Sequence, residues 1–258
     1  MGKTIVIANQ KGGVGKTTTV VNLSAYIAEG GGRTLVVDLD SQGNSCSGLG
    51  IRKEEGSKGL YEALIGTVDV KEIIVPSGIS NLFVVPSNIN LSGAQVEMVD
   101  MPRREFKLRE VVDKIRHEYD YIFIDSPPSL GLLTINGLVA ANSVIIPIQC
   151  EYYALEGLSQ LLKTINLVKQ RLNHELKIEG VLLTMYDTRT NLSRQVVDEV
   201  ISYFKNKVYK TIIPRNVRLA EAPSYGMPIN VYDPKSLGAV SYYNLSKEFI
   251  KNGEESTR

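Results

Sequence analysis

Short apolar runs rich in β-branched residues return along the whole chain, and this recurrence limits the fold more than any other feature. They are TIVIA at 4–8, TLVVD at 34–38, LFVVP at 82–86, YIFID at 121–125, SVIIPI at 143–148, GVLLTM at 180–185 and TIIP at 211–214. Runs that are apolar throughout suit parallel strands buried on both faces. Helical patterns at 17–30, 103–118, 153–173 and 190–206 separate most of them and are long enough for crossovers. The expected fold class is α/β, a single doubly wound, mainly parallel sheet flanked by helices. With 258 residues and 43% hydrophobic content, one domain spanning 1–258 buries an ample core. A closing helix over 237–251 is expected to bury Leu237, Val240, Leu245 and Phe249, and the polar NGEESTR at 252–258 to fray.

The first of these runs leads directly into NQKGGVGKTTT. Gly12, Gly13 and Gly15 let successive backbone N–H groups turn into one concavity, and the helix that opens at Lys16 or Thr17 adds the positive end of its dipole. Strand, glycine loop and helix in that order make a phosphate cradle, lined by Lys11, Gly12, Gly13, Val14, Gly15, Lys16, Thr17 and Thr18. Lys16 is placed to reach the β and γ phosphates, the Thr17 hydroxyl to bind Mg2+, and Thr18 to donate to the α phosphate. The position five before Gly15 holds Gln10 where the usual GxxxxGK[ST] spacing has glycine, and Lys11 is a second lysine in the loop.

Both departures resemble the deviant Walker A loop of the ParA/MinD-type P-loop ATPases, carried here by KGGVGKTT. The resemblance implies that Lys11 reaches across an ATP-sandwich homodimer to phosphates bound by the other subunit. A cation supplied in this way makes association depend on the nucleotide.

Two carboxylate positions complete the chemistry. YIFID ends on Asp125, ahead of Ser126, Pro127 and Pro128, the arrangement of a Walker B strand that holds Mg2+ directly or through water. An aspartate that only caps the following helix fits the same spacing. VVDLDSQGN places Asp38 and Asp40 two residues apart, on one side of a strand if it extends that far. Asp38 is read as metal support and Asp40 as the group that positions the attacking water, although turn and cap roles fit these carboxylates too. The resemblance implies the same for Asp40, and it implies that Pro214 and Asn216, in IIPRNVRLAEAPSYG, lie beside the adenine. No histidine or cysteine is placed for a covalent intermediate. Phosphoryl transfer to water needs positioning and charge stabilisation more than a nucleophilic side chain.

A net charge of +1 gives no overall sign of a polyanion partner. Between 189 and 218, however, Arg189, Arg194, Lys205, Lys207, Lys210, Arg215 and Arg218 face only Asp198 and Glu199, leaving the rest of the chain at −4. A solvated basic helix face accounts for the same composition. TMYDTRTNLSRQVV and PRNVRLAEAP resemble the chromosomal ParA, or Soj, subgroup. That resemblance implies non-specific double-stranded DNA binding through Arg189 and Arg218, chromosome or plasmid segregation with a ParB-type partner, and a nucleoid-associated place in the cytoplasm.

Other classes are weighed against the same residues. A MinD-like division-site ATPase needs a basic amphipathic anchor, which NGEESTR does not supply, and no run of 18 apolar residues occurs. No membrane partner is expected. Cys46 and Cys150 lack metal-ligand or C-x-x-C spacing and read as packed thiols. His117 and His174 sit among charged residues and read as solvated. A DNA-binding regulator in which hydrolysis is incidental is the non-enzymatic alternative.

Overall fold

The computed structural model describes residues 2–52, 56–151 and 157–255. Its strands are β1 (Lys3–Ile7), β2 (Thr34–Asp38), β3 (Val75–Pro76), β4 (Leu82–Val85), β5 (Tyr121–Asp125), β6 (Ser143–Gln149) and β7 (Lys177–Thr184). The helices are α1 (Lys16–Glu29), α2 (Asn44–Gly48), α3 (Leu60–Ile65), α4 (Leu91–Glu97), α5 (Lys107–Asp113), α6 (Leu132–Ala140), α7 (Leu158–Arg171), α8 (Asn191–Phe204), α9 (Val217–Glu221), α10 (Ile229–Tyr232) and α11 (Leu237–Glu255).

Seven strands form one sheet in the order β3-β4-β2-β5-β1-β6-β7. Every ladder is parallel except that of the two-residue edge strand β3, which runs antiparallel to β4. Alternate residues of each strand feed opposite apolar layers. On β5, Ile122 and Ile124 pack on one face with α5, α6, α7 and α8, while Phe123 packs on the other with α1 and α11. This is the doubly wound sheet expected from unbroken apolar runs. The central strand β1 lies between β5 and β6, so the loop that leaves its C-terminal end opens at a point where the strand order reverses, the usual ligand crevice of such sheets.

Four expectations are corrected. TIIP at 211–214 is no ladder strand; its segment meets β7 and the residues after it through isolated bridges, Val181 with Val208 and Tyr186 with Pro214, and through single backbone hydrogen bonds such as that from the Ile213 N–H to the Leu183 carbonyl at 2.9 Å. Between the bridges, the Glu248 carboxylate of α11 accepts the backbone N–H groups of Lys210 and Thr211 at 2.7 and 2.9 Å, which removes them from sheet pairing. The pattern at 103–118 yields only the short α5 between two 3-10 turns. There Asn136 of α6 takes the Leu108 N–H (3.0 Å) and the Arg104 carbonyl (2.9 Å), so the expected first turns do not close on themselves.

On α11 the buried side is Ala239, Tyr242, Leu245 and Phe249, spaced three, three and four, whereas Leu237 (70% exposed) and Val240 (48%) point outward. Full burial of a side chain such as Leu245 or Phe249 contributes about 1.5–3 kcal/mol. That helix also runs through Glu255, into the stretch expected to fray. Residues 256–258 of that stretch, and 153–156 of the helical pattern at 153–173, lie outside the described residues.

Candidate functional site

The loop between β1 and α1 is pinned from several directions. Asn9 donates to the Pro147 carbonyl at 2.7 Å and accepts the Lys11 N–H at 3.0 Å. Thr184, at the end of β7, donates to the Val14 carbonyl at 2.9 Å. Gly13 and Gly15 take φ values of +73° and +88°, the left-handed region that disfavours any side chain. Gln10, which occupies the position where other phosphate loops have glycine, lies with its side chain against Gly157 at the start of α7.

Gly12 differs from its neighbours. It is exposed, is not among the residues with positive φ, and a Cβ built there would meet only the Pro128 side chain, at 3.9 Å. Nothing within the described residues demands a glycine at this position.

Past the loop, α1 opens with no side-chain cap, which leaves its first amide N–H groups for an acceptor outside the helix. Lys16 is buried, and its ammonium donates to the Lys11 carbonyl at 3.0 Å. Burial lowers the Lys16 pKa, while Asp125 and Asp40 act in the opposite direction. Thr19 donates to the Gly15 carbonyl at 2.7 Å and meets the Tyr242 hydroxyl at 3.2 Å, tying the loop to α11.

Below the loop lies a buried carboxylate pair. Register places Asp38 at the end of β2 beside Asp125 at the end of β5, and both side chains are inaccessible to solvent. Asp125 Oδ2 accepts the hydroxyls of Thr17 and Ser45, each at 2.7 Å. Its Oδ1 is buried with no hydrogen-bond partner. Burial first, and then Asp38, raise the Asp125 pKa to about 7. Asp38 accepts the N–H groups of Asp40 (3.3 Å) and Cys46 (3.0 Å). Asp40 itself reaches the cavity wall, and its carboxylate also accepts the Gln42 N–H at 3.0 Å.

The cavity above these groups measures about 400 Å³ and is lined by Gly12, Gly13, Gly15, Lys16, Thr17, Thr18, Asp40 and Pro128 together with Met185, Pro223 and Met227. Of the residues expected from the sequence to bind nucleotide, Lys11, Val14, Pro214 and Asn216 do not line it. Pro214 bridges to Tyr186, and the Asn216 side chain caps α9 by accepting the Leu219 N–H at 3.3 Å. Asp38 and Asp125 sit beneath the cavity floor and connect to it through Thr17. Ser45, Met185, Pro223 and Met227 carry no spacing signal that would have marked them. Ser45 is 80 residues from its partner.

Arg189 and Arg218 are both exposed and both already paired. Arg189 makes a two-pronged contact with Asp187 at 2.9 and 2.6 Å. Arg218 contacts Glu221 at 2.9 Å and Asp233 at 3.3 Å. Cys46 and Cys150 are buried free thiols, and burial pushes the Cys150 thiol up to about 12. His117 and His174 are exposed. No helix among the described residues is long and apolar enough to cross a membrane.

A glycine loop at the end of the central strand, with its threonine bonded to the aspartate that ends the adjacent strand, defines a P-loop nucleotide-binding fold. A family model described as an AAA domain matches residues 2–178. The chain is 58% identical to the sporulation initiation inhibitor protein Soj of Bacillus subtilis, over 98% of this chain and 100% of that protein. It is 56% identical to the chromosome partitioning protein ParA of Myxococcus xanthus, over 97% and 89%. Among solved structures, the cobyrinic acid a,c-diamide synthase of Mycobacterium smegmatis, with bound ADP and magnesium, superposes with a TM-score of 0.88 at 36% identity, covering 99% of this chain and 97% of that one. The chain belongs to the ParA/Soj family of chromosome-partitioning ATPases.

Proposed function

We propose that this chain is a Mg2+-dependent ATPase, one domain over 1–258, whose nucleotide state controls a sandwich homodimer and, through it, attachment to DNA during chromosome or plasmid segregation. The observation that carries this reading is the chain of contacts from the cavity wall to the buried pair: Lys16 and Thr17 at the loop, Thr17 to Asp125, and Asp125 beside Asp38. Such a site is charged and directional toward a polyphosphate.

The residues fit Mg2+. Thr17, Asp125 and Asp38 offer hard oxygens, and one Asp125 oxygen is buried without a partner. Among the described residues no cluster of three His, Cys, Asp or Glu side chains could hold a metal alone, which suits an ion that completes its shell with phosphate and water. When bound, Mg2+ would neutralise charge on the β and γ phosphates. Thr17 and Asp125 would hold it, with Asp38 in support. Lys16 holds the phosphates from the helix end, the loop N–H groups orient them, and Asp40 at the cavity wall positions water for attack. Met185, Pro223 and Met227 form the apolar end that suits a base, in place of Pro214 and Asn216.

Gly12 supports the dimer. Its exposure and open surroundings make a second chain the reason for the missing side chain, and Lys11 on the same rim is the group that crosses. ATP-linked pairing then doubles the phosphate contacts to DNA. With about two contacts per subunit, log K should fall against log salt with a slope of about −3.6 for the dimer and half that for a monomer. A ParB-type protein that stimulates turnover is the partner expected for such a switch.

The test uses Asp40→Ala with ATP and magnesium, followed by light scattering. A dimer that forms with ATP and not with ADP supports the reading. Adding Gly12→Val should leave ATP binding intact and the protein monomeric; a stable dimer in that double variant, or a monomer in Asp40→Ala alone, would falsify it.

A further inference from the structure

The basic segment does not present seven open cations. Three of its arginines are matched by carboxylates: Arg189 by Asp187, Arg215 by Glu151 at 2.8 Å, and Arg218 by Glu221 and Asp233. Lys205, Lys207 and Lys210 form no ion pair among the described residues. The arginine contacts are the tighter geometry, because a planar guanidinium matches a carboxylate in the same two-pronged way that it matches a phosphate. Asp187 uses both oxygens on the Arg189 side chain and also accepts the Arg189 backbone N–H at 3.0 Å. Arg189 and Arg215 together hold its carboxyl well below the usual carboxylate range.

The position of these clasps adds to their meaning. Met185, two residues before Asp187, lines the nucleotide cavity, and so does Ala222, which directly follows Glu221. Arg215 is tied to the same corner, since its N–H donates to the Tyr186 carbonyl at 2.9 Å. Each arginine clasp therefore sits on a segment whose immediate neighbours form the wall around the nucleotide.

We infer that Asp187 and the Glu221–Asp233 pair are built-in competitors for DNA phosphate: they occupy Arg189 and Arg218 in the unbound protein, and DNA gains these arginines only by displacing them. This rests on the DNA reading above and adds a regulating element to it. The clasps hold affinity down, so attachment stays weak enough to be reversed when the dimer separates. A bare charge count overstates the attraction of this face, because the arginines best shaped for phosphate are the ones already occupied.

The experiment measures binding of the ATP-loaded full chain, with hydrolysis blocked by Asp40→Ala, to a random-sequence DNA duplex by fluorescence anisotropy at fixed salt. Asp187→Asn keeps an oxygen to accept the Arg189 backbone N–H while releasing the guanidinium, and should raise affinity about three- to fivefold. Glu221→Gln should act in the same direction and serves as a second arm if the first variant folds poorly. Asp198→Asn is the control, since Asp198 is exposed on the same segment, forms no ion pair among the described residues, and its change alters net charge equally. A gain at Asp187 clearly larger than at Asp198 supports the competitor role. Equal gains would reduce the effect to net charge and overturn it, as would unchanged or weakened binding in both clasp variants. Absence of DNA binding by the parent protein itself would sink the DNA reading, and this inference with it.

Discussion

The nucleotide cradle and the basic edge beside it both use aspartates that accept more than one hydrogen bond, yet they are opposite kinds of site. Asp125 is fully buried and shares one oxygen between Thr17 and Ser45, and burial raises its pKa. Asp187 is near the surface and clasps an exposed arginine two residues away, which lowers its pKa. A buried network is stiff because breaking any member leaves a dry polar group. An exposed ion pair can exchange its partner for water, salt or phosphate at little cost. The cradle is thus built to hold one ligand geometry and the edge to trade contacts.

The largest test of that contrast is Lys16→Ala. Loss of a charge-assisted contact inside the cradle should weaken ATP binding about a hundredfold by calorimetry, whereas Arg189→Ala should leave ATP affinity unchanged. Equal effects would erase the distinction between the two regions. Ser45→Ala comes next: Ser45 is wholly buried, and its loss leaves Asp125 Oδ2 with Thr17 alone. The expected cost is about 2 kcal/mol, read as a lower urea midpoint. A neutral result would mean that the network is less rigid than its geometry implies.

The smallest effect belongs to the edge. Asp187 has a depressed folded-state pKa, so its pairing adds stability above the unfolded carboxylate value of about 3.9 and loses it as pH falls further. The Asp187→Asn protein should therefore be slightly less stable than the parent at neutral pH and lose less stability below about pH 4, so that the two proteins converge in acid. A large neutral-pH destabilisation would place Asp187 with the cradle.

Much of the cradle is legible in the chain because its parts are contiguous. Gly12 through Thr18 follow β1 without interruption, and the strands ending at Asp38 and Asp125 are unbroken apolar runs. The apolar part of the cavity lining is not legible in this way. Met185 lies just past β7 while Pro223 and Met227 follow α9, and only the tertiary fold brings them to one cavity. The strand expected at 211–214 failed for a similar reason, since Glu248 is remote in sequence and its capture of two backbone N–H groups has no local signature. The helix expected at 103–118 was shortened by Asn136 from another element.

By itself, the order of residues determined the doubly wound sheet, the place of the phosphate loop on its central strand and the acidic ends of two neighbouring strands, because each depends on hydrophobic period and on glycine backbone freedom within a few residues. Only the tertiary structure decided that Ser45 shares Asp125 with Thr17, that Asp38 lies in register beside it, and that Arg215 of the basic segment is paired with Glu151. Those outcomes depend on groups that meet across 64 residues of chain for Arg215 and Glu151, 80 for Ser45 and Asp125 and 108 for Thr17 and Asp125, where strand register and helix packing set the distances.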